Sequence, residues 1–107
     1  MSQFDDRERA EEGKFAHERE LEFKAQARRA KLVGLWAAEL MGLEGDAVES
    51  YAKSVVLSDL EEAGVEDVFK KIRTDLDMHS VEKSDHQIRT KMEELLIEAR
   101  KQVQEGK

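Results

Sequence analysis

The chain of 107 residues contains no proline, and this absence limits its fold more than any other single feature. Proline breaks helix interiors, whereas the residues that are abundant here (Ala, Leu, Glu, Lys and Arg) favour helices. Four segments carry apolar residues at the spacing i, i+3, i+4 that is typical of a helix with one buried face. Short links separate them, which favours antiparallel neighbours. The sequence therefore predicts an all-α fold, a small antiparallel four-helix bundle.

The first predicted helix runs from Phe4 to Gly42 and the second opens at Asp46. The third follows Gly64, and the fourth opens at Ser84, where Gln87 completes an S-x-x-Q capping box.

The apolar residues of the four helices form the predicted core. In order from the first helix to the fourth, they are Leu32, Leu35, Trp36, Leu40 and Leu43; Val48, Tyr51, Ala52, Val55, Val56 and Leu60; Val65, Val68, Phe69, Ile72 and Leu76; and Ile88, Met92, Leu95, Leu96, Ala99 and Val103. The small residues Gly34, Ala37 and Ala38 permit close helix approach. We interpret Trp36 as a core residue rather than a ligand platform, because its neighbours at helical spacing are leucines.

The first helix changes character along its length. From Phe4 to Glu20 it is almost entirely charged, and Gly13 weakens it by roughly 1 kcal/mol relative to alanine. From Leu21 to Met41 it has an apolar face. We therefore divide the chain into an N-terminal arm, residues 1–20, and a bundle domain, residues 21–107. We expect a mobile arm that is partly helical and partly disordered when free.

Phe4 and Phe15 of the arm are eleven residues apart, close to three turns, so in a helix they share a face. One interpretation is a solvated charged tail with two incidental aromatics. The other is a recognition helix that becomes ordered on a partner.

Composition argues against several classes of protein. The net charge of −7 is unfavourable for general nucleic-acid binding and for docking on an anionic membrane. The chain has no cysteine, so it has no disulfide or thiolate metal site. Its N-terminus lacks the apolar stretch of a secretory signal, and no segment is long enough to insert into a membrane. We expect a cytoplasmic protein.

Motifs for catalysis are missing. None of the three histidines has a glutamate three positions before it, so the di-iron motif of helical bundles fails, and neither H-E-x-x-H nor a phosphate-binding glycine loop occurs. We therefore expect no metal, no required cofactor and no enzymatic activity. One basic cluster, Arg28 and Arg29 with Lys24 and Lys31, could bind an anion such as the phosphate of ATP or ADP weakly. The alternative is a solvated face paired with acids of a neighbouring helix.

Several blocks resemble a known family: F-D-D-R-E at Phe4–Glu8, K-F-A-H at Lys14–His17, E-L-x-F-K at Glu20–Lys24, A-R-R at Ala27–Arg29, G-x-W-A-A at Gly34–Ala38, E-D-V-F at Glu66–Phe69 and H-Q-I-R at His86–Arg89. The chain resembles the zeta subunits, which are small ATPase-inhibitor proteins of alphaproteobacterial F-type ATP synthases. The likeness extends over nearly the whole chain. It departs from the family at Ala63, where a proline is expected, and at the variable Gly13.

The resemblance implies a regulatory subunit that inhibits ATP hydrolysis by the F1 sector. The inhibitory segment would be Ser2 to roughly Arg19, folding as a helix into a catalytic alpha/beta interface next to the gamma subunit. Its apolar anchors would be Phe4 and Phe15, and its charged contacts Asp5, Arg7, Glu8, Arg9, Glu11, Glu12 and Lys14. The implied partners are F1 alpha, beta and gamma, and the free protein would be a monomer. Bound to F1, it would lie at the inner membrane without inserting.

Two other functions stay open. The chain could be a small nucleotide-binding helical regulator that uses Arg28 and Arg29, or an unrelated helical adaptor.

Overall fold

The computed structural model describes the backbone of residues 2–61 and 65–106 and the side chains of residues 17–60 and 65–106. The elements in this part of the chain are α1 (Ser2–Leu40), α2 (Asp46–Glu61), α3 (Val65–Met78) and α4 (Asp85–Gln104). They pack into a compact body in which α1 lies chiefly against α2 and α4, with α3 covering the remaining side. The predicted all-α fold of four helices is confirmed.

Local sequence determines where the helices end. Gly42 and Gly45 have φ of 76° and 61°, the left-handed region that glycine enters without steric cost. After α1, the amide of Leu43 donates to the carbonyl of Ala38 at 3.0 Å, which terminates the helix in the manner of a Schellman motif. The predicted capping box of α4 is present, with Ser84 Oγ accepting from the Gln87 amide at 3.1 Å and Gln87 Oε1 accepting from the Ser84 amide at 2.9 Å.

The core forms where the four helices meet. Its buried members are Ala30, Val33, Ala37, Val55, Val68, Phe69, Ile72, Leu76, Ile88 and Met92. The predicted stripe of α3 is buried except at its start, since Val65 is 45 % exposed, and Leu60 at the end of α2 is also exposed. The prediction that these two residues belong to the core is wrong, because both lie at helix ends beside the α2–α3 link.

The buried face of α1 differs from the predicted leucine stripe. Its fully buried residues are Ala25, Arg29, Ala30, Val33, Gly34, Ala37 and Ala38, whereas Leu32, Leu35, Trp36, Leu40 and Leu43 are only partly buried. The reason is a close crossing with α2: a Cβ atom added to Gly34 would lie 2.7 Å from the Cα of Ala52. Large side chains therefore flank the crossing, and Trp36 packs at the edge of the core.

None of the described helices has the length and apolarity needed to cross a bilayer.

Candidate functional site

The nine residues predicted to bind a partner all lie in the N-terminal part of α1. Their side chains, those of Phe4, Asp5, Arg7, Glu8, Arg9, Glu11, Glu12, Lys14 and Phe15, fall outside the described residues. Their role stays a prediction. The described side chains begin at His17, and those of residues 17–20 are exposed.

Two residues beyond the predicted arm, α1 is joined to α4 by an ion pair between Glu22 and Arg100. Arg100 donates from Nη2 to Glu22 Oε1 at 2.8 Å and from Nε to Glu22 Oε2 at 3.1 Å. This two-point bond lowers the pKa of Glu22, and the carboxylate also accepts from Gln26 Nε2 at 3.0 Å. Among the described side chains, this is the most N-terminal hydrogen bond from α1 to another helix. The described hydrogen bonds between α1 and the other helices therefore begin at Glu22.

Arg29 lies about two turns beyond Glu22, on the buried face. Its side chain is 2 % exposed, and its Nε has no hydrogen-bond partner among the described residues. Burial lowers the pKa of Arg29, and the charge of Asp59 on α2 offsets part of this effect. Burial also raises the pKa of Asp59, against the opposing effect of Arg29. Arg29 is thus a positive charge inside the bundle. The negative charge that partly stabilises it, that of Asp59, lies on the other side of the α1–α2 interface.

Arg28 lies in a different environment from its neighbour. It is partly buried, and its Nη1 donates to Gln102 Oε1 of α4 at 3.4 Å. Consecutive residues point about 100° apart on a helix, so Arg28 faces a surface groove while Arg29 faces the interior. The structure therefore does not bring the two guanidinium groups together on one surface. Nucleotide binding by this cluster stays a prediction; of its two arginines, Arg28 is the one within reach of solvent.

The groove beside Arg28 combines cations with apolar side chains. We call it the basic groove; it has a volume of about 460 Å³, and it is lined by Phe23, Lys24, Ala27, Arg28 and Lys31 of α1, Val56 of α2 and Val103 of α4. A second groove of about 410 Å³ shares Lys31 and Val56 with it and extends along α2 past Lys53. The two grooves adjoin at Lys31 and Val56, and together we call them the track.

The sequence had not identified Phe23 and Lys53 as site residues. Phe23 is 64 % exposed although it is a large aromatic. A signal for it was present, because Phe23 follows the charged segment immediately and lies outside the i, i+3, i+4 positions that form the core. Lys53 gave no such signal, since an isolated lysine on a helix is ordinarily solvated.

No group of His, Cys, Asp or Glu that could hold a metal ion occurs among the described side chains. Of the predicted capping or surface histidines, His79 is exposed, and its Nδ1 lies 2.9 Å from the carbonyl oxygen of Asp75.

Comparison with known proteins identifies the family. The model of the family described as ATPase inhibitor subunit zeta matches residues 1–102. The chain belongs to this family. The match includes the arm as well as the bundle. Zeta subunits are regulatory proteins, so the prediction that the chain is not an enzyme is confirmed.

A solved structure has a similar fold. A protein whose solution structure was determined by NMR is 44 % identical to this chain in sequence and matches it with a TM-score of 0.70. The alignment covers 81 % of this chain and 99 % of the other protein. No relative was found among proteins with curated functions.

Proposed function

We propose that this zeta subunit binds the F1 sector of an ATP synthase and blocks ATP hydrolysis with its arm. In this proposal residues 2–19 enter a catalytic alpha/beta interface near gamma as a helix, with Phe4 and Phe15 as apolar anchors. The observation that carries it is the family match, which begins at residue 1 and so includes the arm. Bound in this way, the protein would reside in the cytoplasm at the inner membrane, held there by F1.

The geometry of the base of the arm is compatible with this mechanism. Residues 17–20 are exposed, and the hydrogen bonds that tie α1 to α4 begin at Glu22. A partner can therefore surround the helix up to about residue 20 without displacing a described interhelical hydrogen bond. Apolar anchors on an otherwise charged helix provide affinity by filling pockets, while the charged residues provide orientation.

Deletion of residues 1–19 tests the proposal. The truncated chain keeps every described core residue, so its free energy of unfolding should change by no more than about 0.5 kcal/mol. Its inhibition of steady-state ATP hydrolysis by purified cognate F1 should nearly vanish. Circular dichroism with urea titration reports the fold. A folded truncated chain that inhibits as well as the full chain would show that the arm is not the inhibitory element.

A single substitution refines the test. Phe15→Ser should leave the bundle folded and weaken inhibition, because a buried anchor at an interface hot spot contributes about 2 kcal/mol or more. Met78→Ser is the matched control, since Met78 is 76 % exposed and lies at the end of α3. The concentration for half-maximal inhibition should rise about 30-fold or more for Phe15→Ser and remain unchanged for the control.

The alternative function is weak, non-hydrolytic binding of ATP or ADP. The cations of the basic groove favour it, and Arg28 could donate charge-assisted hydrogen bonds to a phosphate. Titration with ADP, followed by the fluorescence of Trp36, would detect it. Arg28→Gln should then abolish the change, whereas Arg29→Gln should act only through stability, because Arg29 is buried.

A further inference from the structure

We propose that the basic groove is a second docking surface for the same partner, one that binds an acidic amphipathic helix on the surface of F1. This inference rests on the proposed function, because it assigns to the bundle a contact beside the one made by the arm. The groove lies where α1 leaves the bundle, and Phe23 is only three residues beyond the end of the arm. A partner that holds the arm therefore has the groove next to it.

The apolar side chains of the groove are suited to a helix. Phe23 is 64 % exposed, and it borders Ala27, Val56 and Val103 within one depression. Amphipathic helices bind by placing an apolar stripe in such a groove. From Phe23 to Lys31 the groove follows eight residues of α1, which correspond to about 12 Å at 1.5 Å per residue. The adjoining groove extends this length past Lys53, so the track has room for two to three turns of a bound helix.

The charges along the track indicate the chemistry of the occupant. Lys24, Arg28, Lys31 and Lys53 line it together with Glu49, and Glu20 lies beside Lys24. This concentration of positive charge occurs in a chain whose net charge is −7. Lys31 and Lys53 form no ion pair with any described residue. Complementary charge steers association and determines register, so the track fits a helix whose flanks carry Asp and Glu.

The pairing of Lys24 does not prevent this use of the track. Lys24 Nζ lies 3.3 Å from Glu20, and both side chains are more than half exposed. Exposed ion pairs of this kind contribute little, with a median of about 0–1 kcal/mol. Lys24 can therefore exchange Glu20 for a carboxylate of the partner at small cost.

Two contacts on one protein act together. Once the arm is bound, docking at the groove becomes an intramolecular step with a high effective concentration, which strengthens binding without a change at the catalytic interface. The groove should therefore control affinity, whereas the arm alone determines how completely the saturated enzyme is blocked.

Charge reversal in the full chain tests the inference. The test variant is Lys31→Glu with Lys53→Glu; the control is Lys70→Glu with Lys91→Glu, which changes net charge equally outside both grooves. We expect the test variant to bind purified cognate F1 about tenfold more weakly or worse, with a smaller dependence on salt. The control should bind as the wild type does. Maximal inhibition at saturation should be equal for all three, and circular dichroism should show the same helix content.

The apolar part of the groove has its own test. Phe23→Ser should also weaken binding to F1, whereas Met78→Ser, at a comparably exposed apolar position, should not. Equal affinity of Phe23→Ser and Met78→Ser would contradict the role of the groove, even if the lysine variants differ.

The remaining outcomes separate this inference from the proposed function. If the wild type inhibits F1 and the groove variants bind as their controls do, the second docking surface is overturned and the inhibitory arm stands. If the wild type neither binds nor inhibits F1, both are overturned. If the groove variants bind F1 normally but no longer bind ADP, the groove is a nucleotide site and the inference is overturned. If they bind F1 normally but a dimer of the wild type dissociates on charge reversal, the groove binds a second copy of the chain, and the inference is again overturned.

Discussion

At the scale of single residues, Arg29 differs from every other described charged side chain because it lies inside the bundle. It is the buried charged side chain among the described residues, at 2 % exposure, and its charge is compensated chiefly by Asp59. Taking a charge out of water is costly, and the loss of one partner of a buried pair costs more than the replacement of the charge by an apolar group. The A-R-R block indicated a basic surface, but sequence could not tell which arginine would face inward.

We expect substitution of either partner to have a small effect on stability. Asp59→Asn should change the free energy of unfolding by less than about 1 kcal/mol, because burial raises the pKa of Asp59 by more than the charge of Arg29 lowers it, so the carboxylate contributes little net stability. Arg29→Met should cost less than about 1 kcal/mol or stabilise the fold. In the Arg29→Met background only the cost of burying the Asp59 carboxylate remains, so Asp59→Asn should stabilise the fold there more than it does in the wild type. Urea titration of the four proteins measures the cycle, and additive changes would show that the two charges do not interact.

At the scale of elements, α1 is organised by small residues rather than by its leucines. The sequence predicted the helices, the Ser84 capping box and most of the α3 and α4 stripes, because those depend on local spacing. It predicted that Gly34 permits close helix approach, but not that α1 meets α2 there at Ala52, because the distance between two helices depends on both surfaces at once. Periodicity alone therefore placed the leucines at the centre of the core, when they flank it.

Gly34→Ala should destabilise the fold although alanine favours helices. The gain in helix propensity is about 1 kcal/mol, whereas overpacking costs typically 1–3 kcal/mol. The added Cβ would lie 2.7 Å from the Ala52 backbone and 3.2 Å from Val55 Cγ2, which leaves little room for adjustment. We expect a net loss of about 1–2 kcal/mol in urea unfolding. Ser50→Ala, at an exposed position of α2, is the control; a Gly34→Ala protein as stable as this control would show that α2 moves freely.

At the scale of the whole molecule, the outer surfaces of the helices are tied together by arginine–carboxylate pairs. Arg100 holds Glu22 and Arg89 holds Glu66, the latter at 2.8 and 3.1 Å. Both pairs lower the pKa of their carboxyl group below the ordinary value of 4.5. The bundle could be predicted from the sequence and the family from its motifs. The ion pairs between helices could not be predicted from the sequence, because Glu22 and Arg100 are 78 residues apart and Glu66 and Arg89 are 23 residues apart.

These pairs predict how stability depends on pH. A carboxyl group whose pKa is lowered by folding stabilises the protein above its ordinary pKa and loses that contribution as the pH falls through the lowered value. Stability should therefore fall below about pH 4.5. The raised pKa of Asp59 has the opposite effect, because its protonation at low pH favours the folded state, and it therefore reduces the loss of stability. Arg89→Gln with Arg100→Gln should flatten the acid limb, as measured by thermal unfolding between pH 3 and 7; an unchanged limb would exclude these pairs as its cause.

The crossing at Gly34 also has a consequence for the history of this chain. A site where even a methyl group meets another backbone cannot drift through intermediate side chains, because every single step is penalised before a second change can relieve it. Position 34 should therefore have stayed glycine in every lineage that keeps this crossing, while Leu32 and Leu35 beside it exchanged freely among apolar residues. A comparison of related sequences would then find that the slowest-changing position of the bundle is a glycine, a residue that has no side chain.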